Sequence, residues 1–290
     1  MVVFSELVVT YMFFGGTAAG ACCVCCFLAL SFARQGENLW ARGEACVAHR
    51  RFFGFGFLIA AAVGLVGALC LLADMRRPEE VLTLLLSPSF SVSSVGAYAL
   101  ASLILTTAIL GLMWLSSIRV PRMVTNGVYV LGITLSVVTM TYTALLLMAF
   151  PGSPLFRSAW LIPLFMLSSL SCGCSLVVLL ALVTRTWESM EHVLMRMRVL
   201  DVVLIVLEVI ALLAFILMAG DIAPESAASL LIGEHALAFW LGVVTAGLCV
   251  PLVLMVVPRR LVGFWNCPAP SAVFVLVGGF ALRWCILKAA

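Results

Sequence analysis

Eight times along this chain, a run of about twenty residues contains almost nothing but apolar side chains. A helix of that length crosses the ~30 Å hydrocarbon core of a bilayer, and in lipid every backbone N–H and C=O must find its partner inside the segment. The ten-residue alternation of a membrane barrel is absent, so helices are the remaining solution. The spans are expected at about 5–33, 50–73, 93–116, 121–149, 158–184, 199–219, 229–257 and 268–288. Composition points the same way: 64% of the 290 residues are hydrophobic and 10% charged, against about 25% charged in soluble domains. The expected fold is an all-α integral membrane protein, one transmembrane domain over 1–290. A Gly-Gly pair in the first span and another in the last hint at two four-helix bundles, although no internal repeat is evident.

The net charge of +3 carries no suggestion of nucleic acid, because the arginines sit in short connectors between spans. Their distribution sets the topology. With the amino terminus outside, the inner connectors hold Arg34, Arg42, Arg50, Arg51, Arg119, Arg122, Arg185, Arg196, Arg198, Arg259 and Arg260. The outer side keeps Arg76, Arg77, Arg157, Arg283 and Lys288. Eleven against five, by the positive-inside rule, places both termini outside. A multi-pass protein of a bacterial or archaeal cytoplasmic membrane is expected. No cleaved signal is expected, since Glu6 and no Lys or Arg precedes the first apolar run.

Eleven cysteines raise the question of metal. Cys22, Cys23, Cys25 and Cys26 share one helix, where neighbours are ~100° apart, so they spread around the circumference instead of converging on an ion. They read as small packing residues, as do Cys172 and Cys174. No metal site and no iron–sulfur cluster is expected. Of the three histidines, His49 and His192 fall at or near inner connectors and His235 alone falls within an expected span. A haem held by histidines from two facing helices needs two of them in the membrane, so no haem is expected.

Ionisable side chains inside a span cost about 2.5–3.5 kcal/mol on insertion scales, which makes each a functional candidate. Glu6 and Tyr11 fall in the outer part of the first span, Asp74 at the outer end of the second, and Tyr142 in the outer third of the fourth. Glu234 and His235 fall early in the seventh and Arg283 near the outer end of the eighth. Asp201 and Glu208 are deeper and inward, and their spacing of seven puts them on one helix face. Each has a plainer reading. Asp201 can pair with Arg198 and Asp74 with Arg76 or Arg77, the tyrosines can be belt aromatics, and Arg283 can snorkel outward. Glu208 lies too deep for any headgroup.

The connector Asp74–Ser91, DMRRPEEVLTLLLSPSFS, joins two acid–base clusters and two prolines to the apolar strip Val81–Leu86. It is too charged for a span and too apolar for a linker, and reads as a structured cap at the outer surface. Elsewhere, Gly16 and Gly20 stand in GxxxG spacing within FFGGTAAGA, and SSLSCGCS at Ser168–Ser175 repeats the small-residue theme, which lets helix backbones approach closely.

In order along the chain, YMFFGGTAAGA (Tyr11–Ala21), GLVGALCLLADMRRPEEVLTLLLSPSFS (Gly64–Ser91), YTALLL (Tyr142–Leu147), PLFMLSSLSCG (Pro163–Gly173), LDVVLIVLE (Leu200–Glu208), VVPRRL and GGFALRW resemble the polysulfide reductase membrane-subunit family (NrfD/PsrC-like). The match runs nearly end to end, and the Asp-x-x-Arg-Pro loop is its most specific element. The resemblance implies a haem-free anchor subunit of a complex iron–sulfur molybdoenzyme. Such a subunit exchanges electrons between membrane quinone (menaquinone or ubiquinone, an exchangeable substrate) and a ferredoxin-like iron–sulfur subunit, and through it a molybdopterin catalytic subunit. It implies a quinone pocket toward the outer face, with Tyr142 as the matching tyrosine and Tyr11 and Glu6 as the nearest matches on the first span. The first-span Asn and His of the better-known pattern are not apparent, and Glu6 or His235 would stand in for them.

Quinol oxidation releases two protons with two electrons, so such a site needs partners for both ring oxygens and a group that takes a proton. Tyr142 suits one oxygen and His235 or Glu6 the other. Asp74, Glu208, Asp201 and Glu234 are the candidates for proton transfer, and Arg76, Arg77 and Pro78 for docking the partner subunit. A second reading is a proton-conducting module of an energy-coupling quinone-linked complex, with Asp201 and Glu208 forming an inner half-channel. A secondary transporter is disfavoured, because corresponding halves show no pair of broken helices around a midplane site.

Overall fold

The apolar runs fold as helices, and small residues decide where those helices meet. The computed structural model describes residues 5–34, 44–74, 92–116, 120–150, 153–184, 186, 191–256 and 268–289. Eight helices in it are long and apolar enough to cross a membrane. They are α1 (Glu6–Arg34), α2 (Glu44–Asp74), α3 (Val92–Ser116), α4 (Arg122–Met148), α5 (Leu161–Val183) and α6 (Glu191–Ile222), followed by α7 and α8 (Pro268–Lys288). Helix α7 begins as Ala236–Ala238, widens to a π-helix over Phe239–Cys249 and returns to α form at Val250–Val256. A 3-10 turn (Pro154–Arg157) precedes α5 and a short helix (Pro224–Leu231) precedes α7. No strand occurs among the described residues.

Helices α1 to α4 pack on one another as one bundle, and α5 to α8 form a second in which α5 and α7 both lean on α8. The two halves meet mainly along α1 and α5. At that crossing Gly20 and Gly173 touch backbone to backbone: a Cβ on either would fall on the other helix's main chain. Gly247 of α7 and Gly278 of α8 repeat the arrangement within the second bundle. Without a hydrophobic drive between helices in lipid, such close approach supplies the packing that holds them.

Consecutive helices run in opposite directions, so the bundle has an upper end, where α1 begins and α8 ends, and a lower end. At the upper end the Ser5 hydroxyl donates to the Asp74 carboxylate, and Lys288 pairs with Glu6 at 2.8 Å. At the lower end arginines close neighbouring helices. Arg50 at the start of α2 donates to the carbonyls of Trp114 (3.3 Å) and Leu115 (3.2 Å) in the last turn of α3. Arg198 in α6 donates to those of Leu254 (2.9 Å) and Met255 (2.7 Å) at the end of α7. The last four carbonyls of a helix have no partner within it and carry partial negative charge, so a guanidinium is a favourable cap.

Two boundaries differ from the sequence expectation. Helix α6 starts at Glu191, ahead of the expected span at 199, which carries Asp201 well inside the bundle. The seventh span is interrupted: the helix Pro224–Leu231 ends where Ile232 and Gly233 both donate to the Ala228 carbonyl (2.9 and 3.0 Å). A side chain at Gly233 would collide with the Ser229 backbone. Glu234 and His235 therefore lie in the turn before α7 and not in a span.

Candidate functional site

Tyr11 of α1 and Tyr142 of α4 come together in the upper part of the first bundle. Both are buried, at 2% and 5% exposure, and the two phenols are close enough to interact. This burial removes the reading of either as an interfacial belt aromatic. The other two helices of the bundle supply glycines that permit close approach, one to the Tyr142 ring and one to the α1 backbone. A Cβ at Gly96 of α3 would sit inside the Tyr142 ring, and one at Gly67 of α2 would lie 3.1 Å from the Gly15 nitrogen and 3.5 Å from the Tyr11 carbonyl oxygen. The helices thus place two buried phenol groups, each able to donate and to accept, beside one another in an apolar surround.

The remaining candidates stand around this pair at different distances from the interior. Asp74 accepts from Ser5 at the rim. Glu6 is 63% exposed and engaged with Lys288. His235 lies edge-on to Trp284 of α8, ring centroids 5.7 Å apart, and Glu234 beside it is exposed. The structure therefore brings Tyr11 and Tyr142 together and leaves Glu6, His235 and Glu234 with other surroundings. Arg76, Arg77 and Pro78 lie outside the described residues.

A second polar cluster occupies the second bundle. Arg283 of α8 is fully buried. Its guanidinium donates to the hydroxyls of Ser168 (3.3 Å) and Ser169 (2.8 Å) on α5 and to the Gly279 carbonyl (2.7 Å), while its Nε has no partner. The same group lies over the rings of Phe13 (5.8 Å) and Phe165 (5.5 Å), where the negative ring faces favour a cation. Glu208 of α6 is buried and lines a small cavity with Ser168, Cys172, Gly278 and Gly279, within electrostatic range of Arg283. Below it, Asp201 is 4% exposed and accepts from the Ser171 hydroxyl at 2.7 Å. Asp201 is thus satisfied by a serine of α5, while Arg198 caps α7.

Arg283 is the residue that sequence reasoning underrated. Counted with the outer charges and free to snorkel, it turns inward instead. Two signals pointed there: the glycine one turn before it, which leaves space beside the helix, and the hydroxyl-rich SSLS of α5. The four first-span cysteines pack as small apolar groups. Cys22 and Cys26 (Sγ atoms 3.9 Å apart) face Gly132, and Cys25 faces Gly56. A larger cavity of about 520 Å³ opens at the lower end between α1, α4, α5 and α6; the half-buried Cys23 lines it, and none of the tyrosine, carboxylate or Arg283 candidates does.

The family model described as "Polysulphide reductase, NrfD" matches residues 1–290. The chain belongs to the NrfD family. The C subunit of polysulfide reductase from Wolinella succinogenes is 28% identical over 308 residues, covering 97% of this chain and 92% of the relative. With its eight apolar helices, this NrfD-family chain is a multi-pass membrane protein, and a bacterial cytoplasmic membrane fits the source of that relative. Three of the segments that carry the resemblance converge in space. YMFFGGTAAGA contributes Tyr11, Phe13, Gly16 and Gly20; PLFMLSSLSCG contributes Phe165, Ser168, Ser169 and Gly173; GGFALRW contributes Gly278, Gly279 and Arg283. In this NrfD-family chain these three stretches form the contact surface of α1, α5 and α8.

Proposed function

We propose that this chain is the haem-free membrane anchor subunit of a polysulfide reductase-type complex. It binds quinone or quinol near the outward end of the first bundle and exchanges electrons with a ferredoxin-like iron–sulfur subunit, which in turn serves a molybdopterin catalytic subunit. The observation that carries this reading is the buried Tyr11–Tyr142 pair. Two buried phenols beside one another in an apolar setting, one of them seated against a glycine, suit a planar apolar ligand with an oxygen at each end. A quinol, when bound, supplies two electrons and two protons.

The chain's own residues would orient and deprotonate it. Tyr142 would hold one ring oxygen by its hydroxyl, with Tyr11 fixing the Tyr142 hydroxyl through the contact they share. Asp74, at the rim beside Ser5, would receive a proton and pass it to outer water. Glu6, exposed and paired with Lys288, would serve that exit more readily than the pocket, and His235 would bound the site from the second bundle. Arg76, Arg77 and Pro78 are assigned to docking the iron–sulfur partner, on the strength of the family resemblance.

Replacing Tyr142 with Phe removes one hydroxyl and keeps the ring. The expected result, measured as electron transfer from quinol in the assembled complex, is a fall of roughly ten- to a thousandfold, the range for loss of a positioned hydrogen-bonding group at a reacting centre. Full-rate transfer in that variant would remove the tyrosine pair from the site.

The buried Arg283–Glu208 neighbourhood favours a second reading, proton conduction. Asp201 and Glu208 lie on one face of α6, about 10 Å apart by helical rise, each beside a serine of α5, with Arg283 as the fixed charge above them. Glu208→Gln separates the two readings: proton movement lost with electron transfer intact supports conduction, and unchanged coupling removes it.

A further inference from the structure

The cavity of about 520 Å³ at the lower end is unlike the polar clusters above it. Its walls come from both halves of the protein: Phe27 and Ser31 of α1 and Ile133 of α4 on one side, Leu170 of α5 and Leu200 of α6 on the other. Phe27 is 60% exposed and Leu200 40%, so the space opens sideways between the bundles, to whatever surrounds the helices. In a spanning protein that is lipid. The volume lies within the ~300–1,000 Å³ typical of ligand sites.

Its polar content is small and specific. Among the described lining residues Arg196 alone is charged. It stands in the first turn of the α6 span, which starts at Val193, at the lower end of the bundle. Among the described residues no carboxylate pairs with it, in contrast to Arg50 and Arg198, which cap helix ends. The Ser31 hydroxyl is already spent on the Phe27 carbonyl, 2.8 Å away in its own helix. The arrangement is a single cation at the mouth of a long apolar slot.

We propose that this cleft binds an anionic phospholipid, with one acyl chain between α1 and α6 and its phosphate on Arg196. The charge pattern selects this occupant over a quinone. A quinone presents two carbonyl oxygens across a ring and needs donors at both, whereas this slot has a single donor at one end and apolar walls beyond. Basic positions between helices at the inner membrane face are where such headgroups are held. The bound acyl chain fills the gap between the halves at the end opposite the tyrosine pair, and so ties the two bundles together.

The test uses the purified full-length protein in nanodiscs and native mass spectrometry, with phosphatidylglycerol and phosphatidylcholine as probes. Phosphatidylglycerol is expected to remain bound after detergent exchange and to raise the unfolding temperature, while phosphatidylcholine does neither. Arg196→Gln is expected to weaken retention about fivefold, the effect of one arginine at an anionic surface, and Arg196→Lys to keep it. Leu200→Trp, which fills the slot, is expected to abolish retention with Arg196 still present. Equal retention of both lipids, full retention by Arg196→Gln, or a quinone recovered from the cleft in place of lipid would each overturn the proposal.

Discussion

Gly96 of α3 lies directly against the ring of Tyr142 of α4, so closely that any side chain at 96 would occupy the ring's own space. The orientation of the phenol is therefore set by a residue with no functional group. Gly96→Ala is expected to turn Tyr142 away from Tyr11 and to cost about 1–3 kcal/mol of stability through overpacking. Thermal unfolding and quinol-linked electron transfer should both decline. A variant that keeps full transfer would show that Tyr142 acts in some other orientation.

The α1–α5 crossing is more demanding, because backbone opposes backbone and no flexible side chain can give way. Gly173→Val should separate the halves and yield little folded protein, whereas a Val at Gly127, with nothing within 4 Å of its Cβ position, should be tolerated. Comparing the monodisperse fractions of the two variants after extraction measures the difference.

Arg283 makes three hydrogen bonds in directions that only a planar fork can serve together. A lysine there keeps the charge but not the geometry. Arg283→Lys is expected to destabilise by about 1–3 kcal/mol, the cost of leaving buried polar groups unpaired. Pairing Arg283→Met with Glu208→Gln in a double-mutant cycle should reveal a coupling above about 0.5 kcal/mol. Strict additivity would mean that the two charges do not sense one another.

The Glu6–Lys288 pair joins the first and last spans at the surface, where ion pairs contribute about 0–1 kcal/mol. Glu6→Gln should leave unfolding nearly unchanged and remove what salt dependence the pair contributes. A large loss of quinol-linked transfer in that variant would return Glu6 to the pocket.

The spans were legible in the sequence because lipid permits so few solutions: length and hydropathy alone located all eight. The GxxxG and SSLS stretches announced close contacts, and the depth of Tyr11 and Tyr142 placed them at one level. Depth is a one-dimensional quantity, however, and could not say which side of its helix each residue faces. Glu6 and His235 share the level of the tyrosines, yet one turns to Lys288 and the other to Trp284. Arg283 failed for the same reason: its height allowed snorkelling, and only the α5 serines and the Phe13 and Phe165 rings show why it turns inward. The break at Gly233 was hidden because the apolar runs before it and after His235 keep the averaged hydropathy high across Gly233, Glu234 and His235.

Arg50 ties the start of α2 to the end of α3, and Arg198 ties the start of α6 to the end of α7. These are the same positions in each half, the second helix clasping the third. Four is an even number of crossings, so both halves enter the membrane from one side and stand in parallel, each with its own clasp. The protein is thus two parallel four-helix units on one polypeptide, joined by the Gly20–Gly173 contact and by the stretch between α4 and α5. Cut there, the two halves should still find each other when co-expressed. They carry different chemistry, phenols in one and carboxylates with an arginine in the other.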